Sequence, residues 1–411
     1  MLVILLVGTS CDEDKYLQEI PKDFLTPENS FTSKASFEAA LGGLYDAKRT
    51  QFYSWTDNWS VYDLMGMDLD LAWVNNNAPG NYLEMFQWNT FNADSGFASK
   101  WWRFFYREIF KANSIIGRSE SPLVTWSSEA EKNAIVAEAR FLRAYYYRFL
   151  ANMWGGVPLV LEETTGPKFD YTRATREAVY QQCKEDLTFA TQWMPTVDEV
   201  PGGRAPRAAA YHILAEVNIQ LGDYQEAIDA ASAVIDGGNF ALMTERFGRF
   251  KDFEWRGYDY TGPAEPWGDV YFDLFREGNF NRIDGNRETI WNVQFEFGIE
   301  AGAVGGGQDG RFGLERWWGG GAYWVPSSQS DINGVRNVYK DTLMGRNVGY
   351  GGATEYMLNQ VWEFKDDFNR DIRNSKYNVQ RTWYWNNPES EFFGTPVTAE
   401  TIFDPGLMNT G

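Results

Sequence analysis

The sequence predicts a mainly α fold, in which paired helices form a scaffold that carries an irregular, loop-rich remainder with a few short strands. Three observations predict it. Apolar residues recur at helical spacing between recognisable caps from about residue 36 to about residue 235. The last two of these segments meet at Gly222 as a tight αα-hairpin. Further on the composition changes: 15 of the 39 glycines lie between Gly298 and Gly352, among Asn, Asp and aromatics, which favours loops.

The elements follow in chain order. Met1 to Ser10 is an apolar run that ends in small residues, and Cys11 with the acidic Asp12, Glu13 and Asp14 comes next. A run of about ten residues is too short to span a bilayer and suits a signal-peptide core. Cleavage before Cys11 would leave its thiol free for acylation, so the mature chain would be held by lipid at its first residue. A buried N-terminal strand with Cys11 as a core thiol is the competing reading, and three adjacent carboxylates stand against it. Gly8 stands where lipoprotein signals usually carry Leu, and no basic residue follows Met1, which places the true start upstream.

Helices are expected around residues 36–48 and 100–118, the second with Trp101 and Trp102 on an apolar face and read as core. Ser128 and Glu131 form a capping box for a helix that runs to about Asn152, where Gly155, Gly156 and Pro158 stop it. Thr175 can cap the next, with Val179, Cys183, Leu187 and Met194 on one face and Pro195 after its end. Pro206 opens another, with Ala210, Ile213, Leu214, Val217 and Leu221 apolar, and Gly222 ends it. Asp223 and Glu226 form a second capping box for the last helix, closed by Gly237 and Gly238. Leu214, Ala215, Leu221, Gly222, Asp223, Tyr224 and Ala227 match a tetratricopeptide unit, so the whole reads as a short helical solenoid. Small residues that simply let two helices approach are the plainer explanation of Tyr224 and Ala227. Beyond the helices, Thr289 to Phe295 alternates as a strand would.

Composition narrows the function. A formal net charge of −20 argues against nucleic acid and anionic lipid surfaces, because phosphates reward Lys and Arg. With Cys11 acylated, Cys183 is left alone, so no intramolecular disulfide can form. The apolar face around Cys183 marks a core thiol rather than a reactive one. A single histidine, His212, gives no basis for a zinc site or a His-dependent triad, and it reads as a satisfied structural imidazole. No metal and no cofactor are expected. Gly305 to Gly310 fits GxGxxG, but no helical pattern follows, so a nucleotide fingerprint is rejected.

The chain resembles the SusD/RagB outer-membrane lipoproteins of Bacteroidetes. Cys11 with Tyr16, Leu17 and Pro21 resembles that family's mature start, and Phe37 to Tyr45 its first helix. Ala137 to Tyr147 and Trp154 to Leu159 are similar to its most recognisable block. Arg176 to Tyr180, Asp186-Leu187, Leu221 to Tyr224, Glu288 to Trp291 and Asn369 to Arg373 continue the likeness in family order. The resemblance implies a tetratricopeptide-like scaffold with a loop-rich remainder. It divides the chain into a signal peptide over 1–10, an N-terminal region over 11–240 and a C-terminal region over 241–411 that continues past Gly411. It also implies a surface-exposed, non-enzymatic protein that captures glycan and passes it to a SusC-like TonB-dependent transporter, held to the outer membrane by lipid on Cys11.

A sugar offers one face of C–H groups and a rim of hydroxyls, so its site needs aromatic planes edged by amides, carboxylates or guanidinium groups. The chain holds 18 Trp, 22 Tyr and 29 Phe, and several Trp fall in polar, glycine- or asparagine-rich segments that suit a core poorly. Two such segments are the candidate glycan-binding sites: Asp70, Trp73, Asn75, Asn76 and Asn77; and Arg311, Trp317, Trp318, Tyr323 and Trp324. Two other functions stay open. A helical-toroid glycosidase would need two carboxylates about 5–10 Å apart, and none of the 57 acidic residues is marked for that role. A tetratricopeptide groove could also hold a peptide.

Overall fold

A computed structural model of the chain describes residues 30–53, 71–73, 92, 96–257, 262–294, 330–335, 351–382, 384–398 and 400–403. Among the described residues of the first half the long helices are α1 (Lys34–Tyr53), α2 (Gly96–Arg118), α3 (Glu129–Trp154), α4 (Arg176–Trp193), α5 (Arg207–Leu221) and α6 (Tyr224–Ile235). From α2 to α6 each helix packs on the next, and α1 lies against α2 and α3, which is the expected stack of helix pairs. Among the described residues the strands are short antiparallel pairs. β1 (Leu71–Trp73) pairs with β5 (Gly351–Ala353), β2 (Glu254–Trp255) with β3 (Glu265–Pro266), and β4 (Ser330–Asp331) with β6 (Ile402–Phe403). Two short helices, α7 (Val270–Leu274) and α8 (Glu355–Leu358), punctuate the remainder. No helix among the described residues is long and apolar enough to cross a membrane.

The apolar stripes of α1 to α5 close one core. Val179, Cys183, Leu187 and Met194 are fully buried, as their spacing on α4 predicts. Trp101 is fully buried on α2 and stacks on Phe105 at 5.2 Å, whereas Trp102 is half-buried and meets Trp154 edge-on. The Cys183 thiol donates to the Ala144 carbonyl at 3.5 Å, and burial raises its pKa, so it is a core thiol. His212 is exposed, and its Nε2 lies 3.3 Å from Glu216 on the same helix.

The caps divide into those that formed and one that did not. Ser128 Oγ accepts from the Glu131 amide at 3.1 Å, and Thr175 Oγ1 accepts from the Ala178 amide at 3.1 Å. The Glu131 carboxylate reaches back to the Ser127 amide at 2.8 Å, one residue before the expected partner. Gly222 ends α5 in the left-handed region at φ 82°, where a side chain is strained. The box expected from Asp223 and Glu226 is absent, because neither caps α6 with its side chain. Lys184 on α4 takes both carboxylates instead, at 2.5 and 3.4 Å.

A second difference lies at Thr289 to Phe295. Its described part, up to Gln294, forms no strand and has no strand partner. Its bonds go to side chains and loops: Trp291 Nε1 donates to the Gly203 carbonyl at 3.0 Å and Asn292 Nδ2 to the Phe280 carbonyl at 2.8 Å. Alternation records which residues face inward, and here a helix and a loop, not a strand, receive that face.

Candidate functional site

Of the residues predicted from sequence, the structure places the backbone of Trp73, in β1 opposite Gly351 of β5. Asp70, Asn75, Asn76, Asn77, Arg311, Trp317, Trp318, Tyr323, Trp324 and Cys11 lie outside the described residues.

Within the described residues, aromatic planes and polar edges converge on a cleft of about 610 Å³ in the C-terminal half. The β2–β3 pair sets Trp255 opposite Glu265, and the Trp267 amide then donates to the Phe253 carbonyl at 2.9 Å. This turn brings Trp255 and Trp267 edge to face, with ring centroids 4.5 Å apart. Tyr377 stands at right angles to Trp267, 5.0 Å away. Both indoles are half-buried, so one side of the group packs and the other borders the cleft.

Most of the remaining lining, including its polar groups, comes from residues 368–384. Arg381 anchors it: Nη2 and Nε donate to the Leu358 carbonyl at 2.6 and 3.1 Å, Nη2 also bonds Asn374, and the guanidinium lies 4.8 Å from the Phe368 ring. Asn374 Nδ2 in turn donates to the Phe368 carbonyl at 2.6 Å. Lys376 Nζ sits 5.4 Å from the Trp267 ring and 5.2 Å from the Tyr377 ring, within cation–π range. Asn369 and Gln380 border the cleft with amides, and Asn369's is exposed.

Chemically the cleft offers flat apolar faces edged by hydrogen-bond donors and acceptors, the combination that suits a polyhydroxylated ring. Sequence reasoning did not single out Trp255, Trp267 or Tyr377. The available signal was Trp255 and Trp267 flanking a turn-rich stretch with Gly257, Gly262, Pro263 and Gly268. No group of three or more His, Cys, Asp or Glu able to hold a metal occurs among the described residues.

Comparison with known proteins agrees with this architecture. The SusD-like family model described as "Starch-binding associating with outer membrane" matches residues 15–219. A SusD-like protein of Formosa agariphila is 29% identical over 248 residues, covering 59% of this chain and 47% of the relative. The chain spans about half the length of the curated relatives it matches. A laminarin-binding SusD-like protein of known structure is similar at a TM-score of 0.57 and 20% identity, over 83% of this chain and 65% of that one. A structure solved with xylogluco-oligosaccharide is similar at a TM-score of 0.51 and 21% identity, over 80% and 55%. At these identities the structural likeness shows the fold, a tetratricopeptide-like helical scaffold with a loop-rich remainder. The helical half, the curated relatives and the fold agree: the chain belongs to the SusD-like family.

Proposed function

We propose that this chain is a cell-surface glycan-binding lipoprotein, which captures oligo- or polysaccharide and hands it to a SusC-like TonB-dependent transporter of the outer membrane. The observation that carries the proposal is the half-buried Trp255–Trp267 pair, with Tyr377 packed on Trp267, lining a cleft edged by amides. The family description, with its starch binding and outer-membrane association, supports the same reading, as do similar folds that bind laminarin or were solved with xylogluco-oligosaccharide. In this reading the protein binds and releases its ligand unchanged. Cys11 carries the lipid, and the chain faces the cell exterior. The segments around Trp73 and around Trp317, Trp318, Tyr323 and Trp324 supply further stacking planes.

Stacking on an aromatic face contributes on the order of 1 kcal/mol, so removing one plane weakens binding by roughly fivefold. Trp255→Ala and Trp267→Ala are each expected to show that loss on an oligosaccharide panel, with an unchanged far-ultraviolet circular dichroism spectrum. Trp73→Ala and Trp324→Ala are expected to weaken binding by a similar factor. Equal affinity in all four variants, or turnover of the oligosaccharide, contradicts the proposal. For the anchor, labelled palmitate is expected on the exported wild-type chain and not on Cys11→Ala.

A further inference from the structure

A second cleft, of about 390 Å³, lies between α1 and the segments 201–204 and 291–294, and it shares no lining residue with the aromatic cleft. Its lining carboxylates, Glu38 and Asp46, and Glu138, which bonds the lining residues Tyr45 and Arg204, are already committed. Glu138 is buried and accepts from Tyr45 Oη and Arg204 Nε, each at 2.9 Å. Asp46 accepts from Arg49 at 2.5 Å, and Glu38 lies 3.6 Å from Lys34.

Lys48 stands apart from them. It lines the same cleft and is only 5% exposed, yet among the described residues no carboxylate or other hydrogen-bond acceptor pairs with its ammonium. The ammonium Nζ lies 3.2 Å from the centroid of the Trp291 ring and 5.1 Å from that of Tyr145. Trp291 is fixed in turn by its bond to the Gly203 carbonyl and by edge-to-face packing on Phe141 at 5.4 Å. Ring faces attract a cation but accept no strong hydrogen bonds, so the ammonium's N–H donors are left to what the open cleft supplies. Burial, with the like charge of Arg148 behind it, lowers the Lys48 pKa to about 7. A buried cation without a counter-charge among the described residues, at the wall of an open cleft, is poised for an anion.

We infer that this cleft is a second ligand site, which takes the single anionic group of an acidic saccharide, a uronate carboxylate or a sulfate ester, on Lys48. The inference rests on the glycan-binding reading, which supplies the saccharide. An ammonium unpaired among the described residues, in a chain of net charge −20, suits a sparsely charged glycan and disfavours a polyanion. The anion would also return Lys48 to its charged form, so binding takes up a proton near neutral pH. Among the described residues, the other charged and titratable groups on the elements around Lys48 are Glu38, Tyr45, Asp46 and Arg49 on α1; Glu138, Tyr145 and Arg148 on α3; Arg204; and His212 and Glu216 on α5.

The test titrates the full chain with three probes that differ in one group: a neutral oligosaccharide, its uronate-bearing counterpart and its sulfated counterpart. Each is run at about pH 6 and about pH 8.5, on either side of the Lys48 titration. At the lower pH at least one acidic probe is expected to bind about tenfold tighter than the neutral one, and the stronger of the two identifies the anion. That preference shrinks at the higher pH. Lys48→Met removes the preference and leaves neutral binding at the aromatic cleft intact. Lys48→Arg keeps the preference and loses its pH dependence, which separates Lys48 from the neighbouring groups. A preference that survives in Lys48→Met, or no preference in the wild type while neutral glycan still binds, overturns this site alone. Absence of binding by all three probes overturns this site together with the glycan-binding reading.

Discussion

Arg143 shows how one residue ties the helical half together. Its guanidinium donates to both oxygens of Asp186 at 2.7 Å, to Asn113 Oδ1 at 2.8 Å and to the Leu161 carbonyl at 3.1 Å. Asn113 then holds the Val160 and Glu162 carbonyls, so α2, α3, α4 and the segment after α3 share one buried polar network. Removing one partner strands a buried charge, which costs about 3–5 kcal/mol. Asp186→Ala is expected to lose that much in urea denaturation, and a loss below about 1 kcal/mol would contradict the role. Lys48 carries the opposite sign. Its folded pKa of about 7 lies below the ordinary 10.5, so between those values the unfolded chain binds the proton that the folded chain has released. Stability therefore rises with pH across that window, and below it the full penalty of the buried charge is present. Lys48→Met should be more stable than wild type at about pH 6, with the advantage shrinking as pH rises from about 7 towards 10.5. A melting-temperature difference that stays constant with pH would sink this assignment. Arg143 was legible in the sequence as part of the Ala137 to Tyr147 block. Lys48 was not, because a lysine on an amphipathic helix reads as solvated until Trp291 arrives from far along the chain.

At the scale of elements, local signals were read well and competing partners were not. Thr175 was legible because a cap needs only its own next turn. Asp223 looked equivalent, yet Lys184, 39 residues earlier, claims its carboxylate. The two should respond differently to truncation. Thr175→Ala is expected to cost about 1 kcal/mol, whereas Asp223→Ala, which loses a half-exposed ion pair, costs a few tenths. Equal losses in thermal denaturation would show that Asp223 caps after all. Gly156 is the tightest point after α3, since a Cβ there would sit 2.3 Å from the Ala174 carbonyl oxygen. Gly156→Ala must push apart the Val157 and Ala174 backbones, which hydrogen-bond at 3.0 Å, and should destabilise by about 1–3 kcal/mol. The segment Thr289 to Phe295 was misread as a strand, because alternation reports a two-faced environment and not the kind of neighbour that supplies it.

At the scale of the whole molecule, the helical half was legible because a period of 3.6 residues with caps is written within each segment. The aromatic cleft was not. It joins Trp255 and Trp267 to Tyr377 and Arg381 across more than a hundred residues, and no local period announces such a meeting. The segments that sequence reasoning chose, around Trp73 and Trp324, follow the same stacking logic and stand as further planes to test. The central claim is that this SusD-like chain holds glycan on aromatic planes without altering it. The measurement that tests it most directly is calorimetric titration of the purified chain with an oligosaccharide panel, alongside the Trp255→Ala/Trp267→Ala double variant and chromatography of the recovered sugars. The account predicts saturable binding of at least one oligosaccharide, a loss of about tenfold or more in the folded double variant, and sugars recovered intact. Undiminished binding by the double variant, no binding to any oligosaccharide, or cleaved sugars would contradict it.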